Sequence, residues 1–142
     1  MDNYIKTLKR LVEIDDSIII VGSGGLWLSD INLNSKQPND IDIIVKDTTL
    51  LEEALDVTIH NTSSVYCFSN TRGDTYLNEY HIDIFIGERC DGFTETIIDG
   101  ITIKHITLDG YLKYCERVMN EKLPHRVKRI LLDKYRLAKN YI

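Results

Sequence analysis

Apolar positions Tyr4, Ile5, Leu8, Leu11 and Val12 recur at helical spacing, so the pattern predicts an amphipathic helix over Asn3–Ile14, broken at Asp15-Asp16-Ser17. Ile18–Val21 is a short β-branched run and reads as a buried strand. Gly22-Ser23-Gly24-Gly25 then forms a turn, and Leu26-Trp27-Leu28 starts a short helix whose N-terminus faces that turn. Residues 31–39 are polar and close on Pro38-Asn39, a loop before a second strand at Asp40–Val45. Thr49 and Glu52 make a capping-box pattern, which predicts a short helix to about Leu55. Val57–Ile59 and Val65–Phe68 are strand-like fragments, and Asn70–Asp74 reads as a turn.

Tyr80–Ile86 gives the clearest third core strand. Asp99-Gly100 between β-branched runs, Ile97-Ile98 and Ile101-Thr102-Ile103, is a strong hairpin signal. Thr107 caps a helix with Asp109 in its first turn, running to about Glu121. Pro124 opens a last helix with Val127, Ile130, Leu131 and Ala138 on one side. A sheet of several strands with short connections, flanked by helices and closed by two C-terminal helices, is an α/β or α+β layer. The strands are too few, and the helices between them too short, for a doubly wound parallel sheet.

With 142 residues, 43% hydrophobic and 27% charged, the chain suits one domain over residues 1–142, with a core at about 18–106 and closing helices at about 107–142. Cys67, Cys90 and Cys115 contain no C-x-x-C pair and read as reduced thiols. The first ten residues lack a signal-peptide core and no apolar run reaches membrane-spanning length, so the expected location is cytoplasmic, with no membrane partner. A net charge of −5 argues against sequence-blind nucleic-acid binding. The average conceals a split: residues 113–142 hold nine Lys/Arg against three Asp/Glu, whereas residues 1–112 hold eight against nineteen. An acidic body and a basic helical end can cradle a polyanion between them, although a solvated Lys/Arg face produces the same count.

The candidate chemistry lies between Val21 and Val45. Side chains alternate along a strand, so Asp40 and Asp42 point one way while Ile41 and Ile43 enter the core. Paired carboxylates repel unless a cation neutralises them, and a hard divalent ion held by carboxylates and phosphate oxygens would do so. The nearby glycine turn offers backbone N–H groups to those phosphates. Asp83 sits mid-strand in H-I-D-I-F-I, where a charge is costly unless paired or bound to metal. If its strand lies beside Asp40–Val45, three carboxylates converge at one sheet edge.

Val21-Gly22-Ser23, a spacer, Asp40-Ile41-Asp42-Ile43 and the later strand aspartate Asp83 resemble the DNA polymerase beta-like nucleotidyltransferase superfamily, in particular its small bacterial and phage minimal or abortive-infection-type members. The resemblance covers residues 18–86; the part from Thr107 is similar in outline only. Sixteen residues separate Ser23 from Asp40, longer than the family's usual spacer, and Asn39 stands where the family often has another polar or basic residue. The resemblance implies transfer of a nucleoside monophosphate from a nucleoside triphosphate such as ATP to a hydroxyl acceptor, with two Mg2+ or Mn2+ ions. Gly22 and Ser23 would hold the β- and γ-phosphates, Asp40 and Asp42 both ions, and Asp83 the catalytic ion and the proton of the incoming hydroxyl. The acceptor is a protein, an RNA or a small molecule. A catalytically inactive nucleotide-binding module of the same fold is the alternative.

Other motifs fail on chemistry. Trp27 stands where a dinucleotide-binding loop needs its third glycine, no Gly-Lys-Ser/Thr follows the turn, and no Gly-x-Ser-x-Gly elbow occurs. His81 shares a face with Asp83 and can touch substrate, or be a hydrogen-bonded spectator. Arg72 is a turn arginine that either reaches a phosphate or is solvated, and Trp27 reads as core. Lys113, Arg126, Lys128 and Arg129 are candidates to balance triphosphate charge, with Lys128 preferred. Tyr111, Tyr114 and Tyr135 either pack the last helices or stack on a base.

Overall fold

A computed structural model describes residues 2–31, 38–60, 72–120 and 124–141. In chain order the elements are α1 (Asn3–Ile14), β1 (Ile19–Val21), α2 (Gly22–Leu28), β2 (Asp40–Val45), α3 (Thr49–Ala54), β3 (Thr58–His60), β4 (Arg72–Leu77), β5 (Tyr80–Ile86), β6 (Phe93–Ile98), β7 (Ile101–Ile106), α4 (Leu108–Met119) and α5 (His125–Lys139). The seven strands form one mixed sheet in the order β3-β4-β5-β2-β1-β7-β6. β1 runs antiparallel to β2 and parallel to β7, and β2 runs parallel to β5. This is the expected mixed α/β architecture.

Two apolar clusters, one on each side of the sheet, explain the arrangement. On one side Tyr4, Leu8, Leu11 and Val12 of α1 pack against Ile20, Ile41, Ile43, Ile82, Ile84 and Ile103. Each isoleucine whose side chain is fully withdrawn from water contributes roughly 1.5–3 kcal/mol. On the other side Tyr111, Leu112 and Cys115 of α4 and Ala138 of α5 pack with Val21, Leu26 and Ile106. Alternation in β2 and β5 therefore sends isoleucines to the α1 side and carboxylates to the α4–α5 side.

The ends of several elements follow local chemistry. Asp2 caps α1 by accepting a 2.7 Å hydrogen bond from the Tyr4 amide, and Asp15 stops the helix by accepting from the Ser17 amide and hydroxyl. Thr107 caps α4 by accepting from the Gly110 amide at 3.0 Å. Asp99 and Gly100, at φ 50° and 79°, make the expected hairpin turn, though its strands are longer than the Ile97–Ile103 run.

Other expectations change. The glycine turn is itself the start of helix α2, which begins at Gly22 and not at Leu26. Arg72, Gly73 and Asp74 are on strand β4 and not in a turn, because they pair with β5 through Phe85, Ile84 and Asp83. The actual reversal is Asn78-Glu79, both at positive φ, fastened to α1 by Asn3 Nδ2 donating to the Asn78 carbonyl and Asn78 Nδ2 donating to Thr7 Oγ1. Thr49 does not cap α3; Thr48 precedes it without a side-chain bond, and Asp47 accepts from the Thr49 amide. The fragment expected at Val57–Ile59 is β3, one residue later. α4 ends at Met119, and Ile130 stays 42% exposed while Leu131 and Ala138 carry the buried side of α5. The Val65–Phe68 fragment, residues 70–71, Cys67 and Glu121 lie outside the described residues. Cys90 and Cys115 are unpaired thiols. Among the described residues no helix is long and apolar enough to cross a membrane.

Candidate functional site

Strand register assembles the site. Val21 of β1 stands opposite Asp42 of β2, and Asp42 stands opposite Asp83 of β5. Gly22 follows Val21 directly, so the bend into α2 lies against the carboxylates whatever the length of the intervening spacer. The fit is tight: a Cβ on Gly22, whose φ is +63°, would sit 2.5 Å from Asp42 Oδ2. Only glycine meets both conditions there.

The site lines a cleft of about 240 Å3. Gly22, Ser23, Asp40, Asp42 and Asp83 form its polar wall, and Phe85, Ile44, Ile106, Tyr111, Tyr114 and Leu131 its apolar wall. Lys134 of α5 also faces it. Thus Gly22, Ser23, Asp40, Asp42 and Asp83 are brought together. Lys128 is not: it is exposed and does not line the cleft, because Leu131 turns inward and the flank of α5 that follows it into the cleft carries Lys134. Arg126 and Arg129 are also exposed, and Lys113 is exposed and ion-paired with Asp109 at 3.0 Å. Tyr111 and Tyr114 line the cleft, whereas Tyr135 joins the last two helices by donating to Glu116 Oε1 at 2.7 Å.

Electrostatics disfavour ionising all three carboxylates together. The Asp42 carboxyl is pushed up to about 7, first by burial, then by the negative charges of Asp83 and Asp40; Lys134 and His81 oppose the shift. Three carboxylates this close cannot all ionise comfortably at neutral pH without a counter-charge. Beneath the bend the Tyr4 hydroxyl is buried without a hydrogen-bond partner among the described residues. Burial, and next the charge of Asp42, raise its pKa, so it stays a neutral phenol. Cys90 lines the cleft, but burial raises its thiol as well, which disfavours the reactive thiolate.

Several neighbours escaped the sequence pattern. Arg72 Nη1 donates to Asp83 Oδ1 at 3.0 Å, an ion pair set by the β4–β5 register. Arg117 of α4 reaches Glu88 Oε1 at 3.4 Å and Asp91 Oδ2 at 3.2 Å, and so ties residues 88–91 of the cleft wall to α4. Their partners are remote in sequence, so no local motif announces them.

Asp40, Asp42 and Asp83 offer hard oxygen donors of the kind that hold Mg2+ or Mn2+, although among the described residues the group of three whose ligand atoms lie within 4.8 Å of one another is Asp74, His81 and Asp83. The whole fold has a solved counterpart. The crystal structure of an antigenic nucleotidyltransferase-like protein from Paracoccidioides brasiliensis is similar to it at a TM-score of 0.58 and 14% sequence identity, over 99% of this chain and 77% of that one. The likeness supports a nucleotidyltransferase-like fold. No family model matches the chain, and no curated protein matches it.

Proposed function

We propose that the chain is a metal-dependent nucleotidyltransferase that moves a nucleoside monophosphate from a nucleoside triphosphate to a hydroxyl acceptor and releases pyrophosphate. The observation that carries this reading is the convergence of Asp40, Asp42 and Asp83 with the Gly22-Ser23 bend on one wall of a cleft. Asp40, Asp42 and Asp83 would hold two divalent ions, which when bound supply the charge neutralisation that in-line displacement at phosphorus requires. Gly22 and Ser23 hold the terminal phosphates at the bend. Lys134 balances phosphate charge from the opposite helix, the role expected of Lys128. Tyr111, Tyr114 and Phe85 exclude water and give the nucleoside an apolar wall. Asp83 accepts the proton of the acceptor hydroxyl as its oxygen bonds to the α-phosphorus and the bond to the bridging oxygen of pyrophosphate breaks. Protein, RNA and small-molecule hydroxyls all remain acceptors compatible with this chemistry.

The Arg72–Asp83 ion pair favours a second reading, a nucleotide-binding module without turnover, since the guanidinium occupies one oxygen of the carboxylate that would receive the proton. Incubating the protein with labelled nucleoside triphosphates, Mg2+ or Mn2+ and cell extract separates the two. Label transferred to an acceptor, and lost in Asp40→Asn and Asp83→Asn, supports the enzyme. Calorimetric binding of triphosphate with no transfer supports the module, and no binding of triphosphate or Mn2+ refutes both.

A further inference from the structure

The sheet face bearing Asp42 and Asp83 continues past the cleft onto β4 and β3. Asp74 stands opposite Asp83 and His81 stands opposite Asp40, so Asp42, Asp83 and Asp74 form one rung across three strands. Neighbouring strands are about 4.8 Å apart, which keeps each side chain within reach of the next. Arg72 engages Oδ1 of Asp83 at 3.0 Å, while Oδ2 of the same carboxylate faces His81 Nδ1 at 3.7 Å. On its other side His81 Nε2 lies 3.5 Å from Asp74 Oδ2. His60 of β3 approaches that same Asp74 oxygen, with Nε2 at 3.3 Å.

The His60–Asp74 contact is a weak hydrogen bond, and the two His81 contacts are longer than a tight imidazolium–carboxylate bond of about 2.7–2.9 Å. His81 turns Nε2 toward Asp74 and Nδ1 toward Asp83, and an imidazole gives an ion one nitrogen, so an ion held by all three residues would replace one of these two contacts. One ligand atom from each of Asp74, His81 and Asp83 lies within 4.8 Å of the other two. All three side chains are partly buried, with 23–28% of their surface exposed, so an ion has access from solvent without needing a buried path. An imidazole among carboxylates suits a borderline ion such as Zn2+ better than Mg2+, which prefers oxygen donors alone.

We propose that Asp74, His81 and Asp83 form a further divalent-cation site, selective for zinc-like ions, on the open side of Asp83 away from Asp40 and Asp42, with His60 at its outer edge. The site shares Asp83 with the all-carboxylate set in the cleft but takes its other ligands from Asp74 and His81, and it exists whether or not the chain transfers nucleotides. Zn2+ titrated calorimetrically into the full chain carrying Asp40→Asn and Asp42→Asn tests it with the cleft set removed. Binding of Zn2+ is expected to persist there and to weaken at least about tenfold on adding His81→Gln or Asp74→Asn. In the unaltered chain, imidazole nitrogen NMR with Zn2+ is expected to shift the His81 signals and leave His105, buried at 1% exposure against Thr96, in place. A His81 signal unmoved at saturating Zn2+, Zn2+ affinity unchanged by both outer substitutions, or no Zn2+ binding at all overturns the proposal.

Discussion

At the scale of single residues the site is governed by Asp42. Its carboxyl is raised from 3.8 to about 7 in the folded chain, so folding favours its protonated form. A raised folded-state value means that this contribution is fully present below pH 4 and is lost as pH rises through 7. By linkage the loss amounts to about 4 kcal/mol across that window. Metal-free protein in chelator is therefore expected to lose unfolding stability between pH 4 and pH 8, and Asp42→Asn to flatten that slope. Saturating Mg2+ should reverse its sign, because an ion held at the proposed site would favour the ionised carboxylate. Denaturant unfolding at a series of pH values, with and without Mg2+, checks all three. Gly22 is the second decisive residue. A methyl at φ +63° and 2.5 Å from Asp42 Oδ2 must displace either the backbone or the carboxylate. Gly22→Ala is expected to cost about 1–2 kcal/mol of stability and to weaken Mn2+ binding, the latter read by calorimetry. Unchanged Mn2+ affinity would separate the bend from the carboxylates.

At the scale of elements, periodicity revealed what packing on two faces dictates. Asp40–Val45, Tyr80–Ile86 and Asn3–Ile14 have the bounds that alternation and helical spacing predict, because each buries one regular side. What pairs with what was not legible. The turn at Asn78-Glu79 lacks the Asn-Gly signal and holds two non-glycine residues at positive φ, stabilised by contacts with α1 some seventy residues earlier. Lys134 and Lys128 each lie three positions from Leu131, about 60° to either side of it on a helix, so spacing alone cannot say which flank faces the cleft. Arg72 lies in Asn-Thr-Arg-Gly-Asp, which is punctuated like a turn, and only pairing with β5 places it beside Asp83. That placement carries a prediction. On the proposed metal site Arg72 would compete with the cation for Asp83, so Arg72→Ala is expected to raise Mn2+ affinity several-fold at low salt. The partly exposed ion pair should cost no more than about 1 kcal/mol of stability. A fall in Mn2+ affinity would mean that Arg72 orients Asp83 for the ion instead.

At the scale of the whole molecule, the two faces of the sheet are unequally held. α1 contributes Tyr4, Thr7, Leu8, Leu11 and Val12 to the interior, whereas α5 buries only Leu131 and Ala138 and leaves Ile130 and Leu137 more than 40% exposed. Burial of apolar surface is the main term holding a helix to a sheet, so α5 belongs to the less stable end of the structure. It also carries Lys134 over the carboxylates and lies within the basic segment 113–142, opposite an acidic body. A polyphosphate seated between them would be attracted to both sides and couple them, since a ligand stabilises the state it binds. Hydrogen exchange is expected to find α5 amides opening well before those of β2 and β5 in the ligand-free chain. With triphosphate and Mg2+, protection of α5 should rise at least about tenfold while α1 is unchanged, a coupling of about 1.4 kcal/mol. Lys134→Ala should remove most of that gain without altering α5 in the ligand-free state. If α5 is as protected as β5 without ligand, the helix is a fixed wall and the cleft is preformed. If protection rises equally in Lys134→Ala, the charge of Lys134 is not what joins the helix to the ligand.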